Sequence, residues 1–298
     1  MTSTEEYKES LIATCELFGV NRQVYYRRKQ SVIRKKSRAV QVLELVENIR
    51  MQMPKIGTRK MYFLMQRVKE LGVGRDMLFK ILKANHMLIM PSRRYHITTN
   101  SHHRFRKHKN LIENVVPEHP EQIWVSDITY VGNRQNPMYL ALITDAYSKK
   151  IVGYDLSNSL DVKGSLRALK MANKNRIYKN NVVTHHSDRG LQYCSNEYQE
   201  KLKKSKMKCS MTESYDPYAN AIAERINGIL KNEFIGYKNT CTIETMEKLV
   251  KNSIEIYNNK RPHYSCFYQT PEQMHLQNQI KIRTYKNKYP SKDVFTGI

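Results

Sequence analysis

Trp124-Val125-Ser126-Asp127-Ile128-Thr129-Tyr130-Val131 is a run of aromatic and β-branched residues with one carboxylate at its middle. Such side chains are stiff at χ1 and pack well on a pleated surface, so the run predicts a strand. An ionised carboxylate there is costly unless it reaches solvent, pairs or meets a cation. Outward from it, Met138–Asp145 and Lys150–Leu156 are two more β-rich runs with brief connections. The three together predict an antiparallel meander. A helix is expected over Val162–Asn173, a strand over Val182–His186, a helix near Asn196–Lys204 and a short strand near Met207–Met211. Helices over Tyr218–Phe234 and Thr242–Asn258 close an α/β domain.

The chain ahead of this domain has a different character. Residues 1–110 hold 24 Lys/Arg against 8 Asp/Glu, a net of +16, while residues 111–298 hold 27 against 19, a net of +8. A total of +24 is extreme for a metabolic enzyme and favours a polyanionic partner, because neutralising phosphates releases counterions. A nucleic acid is the expected one, and double-stranded DNA once the helix-turn-helix pattern that follows is read. Two segments of the basic half resemble each other: Phe18-Gly19-Val20-Asn21-Arg22 leads into Gln23–Lys29, and Leu71-Gly72-Val73-Gly74-Arg75 into Asp76–Lys83. Each reads as a glycine turn, a small cap residue and a basic helix. With the helical pattern of Thr58–Glu70 ahead of it, the second reads as a helix-turn-helix, whose second helix enters the major groove. Arg59, Lys60, Arg75, Lys80 and Lys83 are its candidate DNA contacts, and Arg93 and Arg94 open a basic, histidine-rich linker suited to phosphates. Pro117 and Pro120 punctuate its end. The expected organisation is a basic helical segment 1–50, a helix-turn-helix region 51–92, a linker 93–119, the α/β domain 120–278 and a basic tail 279–298.

Two further carboxylates stand out beside Asp127. Asp188, in H-H-S-D-R-G, follows the strand Val182–His186, and strand ends are where open α/β sheets place ligands. Glu224 lies on the helix beginning near Tyr218, where Ile222, Ile226, Ile229 and Leu230 form the apolar stripe. Asn220, Glu224, Asn227 and Lys231 fall on another, polar face. Singly, each acid is as well explained by a solvated surface or a turn.

Together they carry a resemblance. W-V-S-D-I-T-Y (124–130), T-D-A-Y-S-K-K-I-V-G-Y (144–154), H-S-D-R-G-L-Q-Y (186–193), N-A-I-A-E-R-I-N-G-I-L-K-N-E (220–233), Y-N-N-K-R-P-H (257–263) and T-P-E-Q (270–273) resemble the D-D-35-E transposases and retroviral integrases. The chain is most similar to the insertion-sequence-three family, whose second-reading-frame product opens much like G-V-N-R-Q-V-Y-Y (19–26). Gly74, where a Ser or Asn cap is more usual, and Ala219, where many relatives have an acid, depart from that pattern.

The resemblance implies a ribonuclease-H-like integrase core, a mixed five-stranded sheet with flanking helices. It implies that Asp127, Asp188 and Glu224 are catalytic and hold two Mg²⁺ or Mn²⁺ ions, with Arg189, Arg225 and Lys231 as phosphate contacts. The expected chemistry is nicking at insertion-sequence ends and 3′-hydroxyl strand transfer. It further implies a homo-oligomer on DNA, fusion with an upstream reading-frame product in some forms, and a bacterial cytoplasmic, nucleoid-associated setting. His185 and His186 are expected to be structural.

Other classes fit less well. The five cysteines form no C-x-x-C pair, against a disulfide framework or a Cys-rich zinc module, and suit a reducing cytosol. Cys15 is the only cysteine before Asp127, so no His-His-Cys-Cys zinc module can be built there. No apolar run approaches the length of a membrane span, and the acidic start is unlike a signal peptide. A ribonuclease H would not need so large a basic front half. A non-catalytic DNA-binding regulator with an integrase-like core is the remaining alternative, disfavoured by the complete set of acids.

Overall fold

The computed structural model describes residues 11–90, 108–132, 136–212, 220–236 and 242–283. Arg93 and Arg94, most of the linker, the start of the helix expected from Tyr218 and the tail beyond residue 283 lie outside the described residues. The chain divides into two compact units, Met1–Ile49 with Met65–Leu88, and Arg50–Leu64 with Ile89–Ile298.

The basic half is helical: α1 Leu11–Leu17, α2 Arg22–Gln52, α3 Thr58–Leu64, α4 Gln66–Glu70 and α5 Arg75–Ala84. Gly19 and Gly72 make the turns, at φ +59° and +67°, where a side chain would be strained. Asn21 caps α2 by accepting the Gln23 N–H at 2.8 Å, while Gly74 before α5 offers no side-chain cap. Two features differ from the sequence reading. The helix after Asn21 runs 31 residues. The helix expected over Thr58–Glu70 breaks at Met65, whose carbonyl accepts the Val68 N–H in a three-residue turn at 3.1 Å. The division between units falls at that break, so residues 50–64 lie with the α/β unit, not with 65–88. In the first unit, α5 buries Leu78 and Leu82 and leaves Arg75, Lys80 and Lys83 exposed.

The second unit is built on a sheet of β1 Ile123–Gly132, β2 Pro137–Asp145, β3 Ile151–Ser157, β4 Thr184–Ser187 and β5 Lys208–Met211. Its order is β3-β2-β1-β4-β5. β1, β2 and β3 form the expected antiparallel meander, and β4 and β5 add in parallel. Helices α6 Val162–Lys174, α7 Leu191–Cys194, α8 Asn196–Lys204, α9 Ala221–Ile229, α10 Ile243–Asn259 and α11 Pro271–His275 complete it. Because β1 is central, both its faces are covered. Trp124 points into a core with Ile143, Leu169 and Tyr198, whereas Ile123 and Val125 point to Ala223 of α9 on the other side. Side chains alternate along a strand, so Asp127 shares the α9 face. On the opposite side α6 rests on Gly153, where a Cβ would come within 2.3 Å of the Ala168 carbonyl oxygen.

Buried charge links T-D-A-Y-S-K-K (144–150) to the helix that T-P-E-Q (270–273) opens. Asp145 accepts the Glu121 N–H and the Ser148 N–H, each at 2.7 Å, and His275 of α11 meets Ser148 Oγ at 3.0 Å. Glu121 in turn accepts from Arg176 Nε at 3.0 Å. This network fastens α11 to the base of the sheet, a satisfied polar cluster of the kind that rigidifies a core.

Candidate active site

Asp127 and Asp188 are brought together by strand register. Ser126 of β1 pairs with Ser187 of the parallel β4, so the next residue on each strand is an acid. Neighbouring strands run about 4.8 Å apart; Asp127 lies midway along β1, beside the carboxyl end of β4, the kind of strand end where α/β sheets bind ligands. Asp188 leaves β4 in a tight turn: its Oδ1 accepts the Gly190 N–H at 3.0 Å before α7 begins. A Cβ at Gly190 would sit 3.0 Å from that oxygen, so the turn and the carboxylate constrain each other.

Helix α9 brings the third acid. Asn220 at its start donates to the Ser126 carbonyl at 3.0 Å, and Asn227 donates to Asp127 Oδ2 at 2.7 Å. Glu224 lies four residues after one anchor and three before the other, so it shares their face toward β1. Lys231 follows on that face, at the start of a π-helical turn, Leu230–Ile235. π-turns inside helices are frequent at functional sites.

Electrostatics records the convergence. The Asp127 carboxyl is pushed up to about 7, by burial first and then by Asp188, with Glu224 adding and the Ile128 N–H and Asn227 opposing. Glu224 is raised by burial and by Asp188. The Lys231 ammonium is lowered by burial, against the pull of Asp127. Like charges held together this way favour a proton or a cation between them. The donors are all carboxylate oxygens, which suits Mg²⁺ or Mn²⁺ over zinc. Among the described residues no group of three or more His, Cys, Asp or Glu side chains closes around a single ion. Asp127, Asp188 and Glu224 are the residues that could hold such ions.

The remaining sequence candidates divide. Arg225 is exposed beside Glu224, Arg189 is partly buried beside Asp188, and Arg59 is exposed on α3. Lys60 is drawn inward instead, its ammonium on Glu233 at 2.9 Å. Glu233 also takes both prongs of the Arg261 guanidinium at 2.7 Å. His185 and His186 are structural: His185 Nε2 meets Ser126 Oγ at 2.7 Å and Tyr198 OH at 2.9 Å, and burial holds its pKa down to about 3. His186 Nδ1 meets Ser210 Oγ at 2.9 Å. Sequence reasoning missed the anchoring work of Asn220 and Asn227, although it put both on the face of Glu224. It also missed the Glu233–Arg261 pair, whose only signal was that both residues fall inside the recurrent stretches.

A β3-β2-β1-β4-β5 sheet with one acid within β1, one just after β4 and one on α9 is the ribonuclease-H-like integrase core. The chain matches the family described as Integrase core domain over residues 117–217 and a second family of that description over 205–271. It is similar to the insertion element IS600 uncharacterized 31 kDa protein of Shigella sonnei, 31% identical over 257 residues that cover 84% of this chain and 93% of that protein. It is also similar to the transposase for insertion sequence element IS629 of Shigella sonnei, 38% identical over 49% of each chain. The transposase InsF for insertion sequence IS3A of Escherichia coli K12 is 34% identical over 63% of this chain and 65% of that one. Among solved structures, the HTLV-2 integrase catalytic core domain in complex with magnesium aligns at TM-score 0.43 and 20% identity, covering 53% of this chain and 97% of that one. The simian T-cell lymphotropic virus intasome in complex with a PP2A regulatory subunit aligns at TM-score 0.46 and 18% identity, over 71% and 70%. The chain belongs to the insertion-sequence transposases of the IS3 family.

Proposed function

We propose that this chain is a DNA transposase that cuts phosphodiester bonds at insertion-sequence ends and joins the resulting 3′-hydroxyl to target DNA. The carrying observation is the meeting of Asp127, Asp188 and Glu224 from three separated stretches, beside the middle of β1 and the carboxyl end of β4. In this reading Asp127, Asp188 and Glu224 would hold two divalent ions, Asp127 contributing to both. When bound, such ions neutralise the attacking and leaving oxygens of an in-line displacement. Asn227 fixes the rotamer of the shared carboxylate, and Asn220 fixes the helix that presents Glu224. Lys231, half-buried behind Asp127, is placed to take a phosphate oxygen, and exposed Arg225 the next phosphate along. In the first step water attacks phosphorus and the 3′-oxygen leaves to become a hydroxyl. In the second, that hydroxyl attacks a target phosphate and displaces its 3′-oxygen. Arg75, Lys80, Lys83 and Arg59 would grip duplex DNA away from the chemistry, and joining two ends requires at least two copies of the chain.

The test is Asp188→Asn. It should abolish Mg²⁺-dependent nicking and joining of the element's own ends while end binding persists. Strand transfer at the wild-type rate by this variant would refute the catalytic assignment.

A further inference from the structure

The loop after α10 carries side chains for which the catalytic reading has no use. Phe267 and Tyr268 are consecutive left-handed residues, at φ +52° and +67°. Bulky L-residues rarely adopt that conformation, and where they do it marks turns and ligand clamps. There Tyr268 stacks on Phe63 of α3, centroids 4.9 Å apart and planes 18° from parallel. Tyr264 meets Tyr268 edge-on at 5.8 Å. Tyr264 stays 52% and Phe63 41% exposed. The Arg283 guanidinium covers one face of Tyr264 at 4.2 Å and also reaches Phe267 at 4.6 Å. Three buried polar atoms of this region, His263 Nε2, Gln269 Oε1 and Arg283 Nε, have no hydrogen-bond partner among the described residues.

Cations lie beside this platform, of which Lys60 and Arg261 are taken up by Glu233 while Arg59 and Arg225 stay exposed. Arg59 is exposed one turn before Phe63 on α3. Lys60 and His263 are both held below their usual pKa, by burial first and then by cations that include Arg261 and Arg225. Arg225 adjoins Glu224 and acts on both Lys60 and His263, so the exposed cations extend from the acids toward the aromatic rings. An intact duplex hides the flat faces of its bases, whereas an unpaired base exposes both a π-face and its phosphate. Exposed rings beside guanidinium groups match the second. The same cations would repel another copy of this chain.

We infer that Tyr264 and Phe63, braced by Tyr268 and flanked by Arg59 and Arg283, bind an unstacked nucleotide of the strand that enters the carboxylate site. This rests on the reading of the chain as a DNA strand-transfer enzyme, but it is a statement about binding and can be measured without catalysis.

The full chain carrying Asp188→Asn is titrated, by fluorescence anisotropy, with a blunt duplex and with the same duplex bearing a single-stranded oligothymidine tail. Base–aromatic stacking of about 1–3 kcal/mol corresponds to a roughly 5- to 150-fold change in affinity. Tyr264→Ala and Phe63→Ala should each lower tailed-over-blunt preference by a factor in that range, and Tyr264→Trp should keep it. An unchanged preference in both alanine variants, or equal loss on both probes, would overturn the proposal. The two readings fail separately: persistent cutting by the Asp188→Asn protein defeats the catalytic assignment, whereas only the tailed-to-blunt ratio bears on the platform.

Discussion

Replacing Asp127 with asparagine should make the metal-free protein more stable at pH 8 while ending its chemistry. The folded state holds the Asp127 proton to about pH 7, against an ordinary value of 3.8. An acid whose pKa is raised on folding leaves stability intact below its unfolded value and erodes it as pH climbs toward the folded one. The wild type should therefore lose stability between about pH 4 and pH 7 and then level off. At about 1.4 kcal/mol per pH unit, the gap corresponds to at most about 4 kcal/mol. Asp127 is coupled to the neighbouring Asp188 and Glu224, so about half of that is a fair expectation for Asp127 alone. Asparagine carries no charge at any of these pH values. Its amide also has a place to donate, since Asn227 Oδ1 is buried without a partner among the described residues. A gain of about 2 kcal/mol in a unit of this size raises the melting temperature by about 4–8 °C. Calorimetry in EDTA at pH 5 and pH 8 measures it, and the gap between variant and wild type should widen at pH 8. Equal gaps at the two pH values, or a variant less stable at pH 8, would show that the carboxylates are not held together under strain.

Gly190→Ala puts a methyl 3.0 Å from Asp188 Oδ1 on a backbone that alanine tolerates, φ −65°. It should reduce end cleavage by about tenfold or more through displacement of the acid, a loss of about 1.4 kcal/mol in transition-state stabilisation, with melting changed by only a few degrees. Arg261→Met strands Glu233, since Arg261 is 1% exposed and supplies two of its bonds. Removing one partner of a buried pair costs about 3 kcal/mol or more, so denaturant melts should shift to a markedly lower midpoint. In the wild type burial works to raise the Glu233 pKa, but Arg261 and then Lys60 hold it below the usual range. That pair's contribution is therefore present at neutral pH and lost as pH falls through the Glu233 value; a midpoint deficit in Arg261→Met that persists undiminished into strong acid would contradict it.

Much of the α/β unit was legible because its signals are local. Alternating β-branched runs announce β1 to β3, and the Asp127–Asp188–Glu224 spacing is carried by recurrent stretches that need no coordinates to be read. The glycine turns at Gly19 and Gly72 were likewise readable, since only glycine takes a positive φ without strain. What periodicity does not carry is contact between distant positions. The break at Met65, the passage of residues 50–64 into the α/β unit and the π-turn after Ile229 all depend on where side chains find partners in space.

The sequence by itself showed a strongly basic chain, an α/β pattern and three acids in a fixed order, and its resemblance to the insertion-sequence-three family implied the integrase-type core. Tertiary structure alone decided how those acids meet: the parallel register of β1 and β4 sets two of them on neighbouring strands, and two asparagines on α9 tie the third helix to the middle of β1. It also decided that Lys60 is absorbed by Glu233, because a buried carboxylate beside an arginine draws in whatever cation the fold brings near. Spacing along a chain fixes which groups are available, whereas desolvation and register fix which of them face one another.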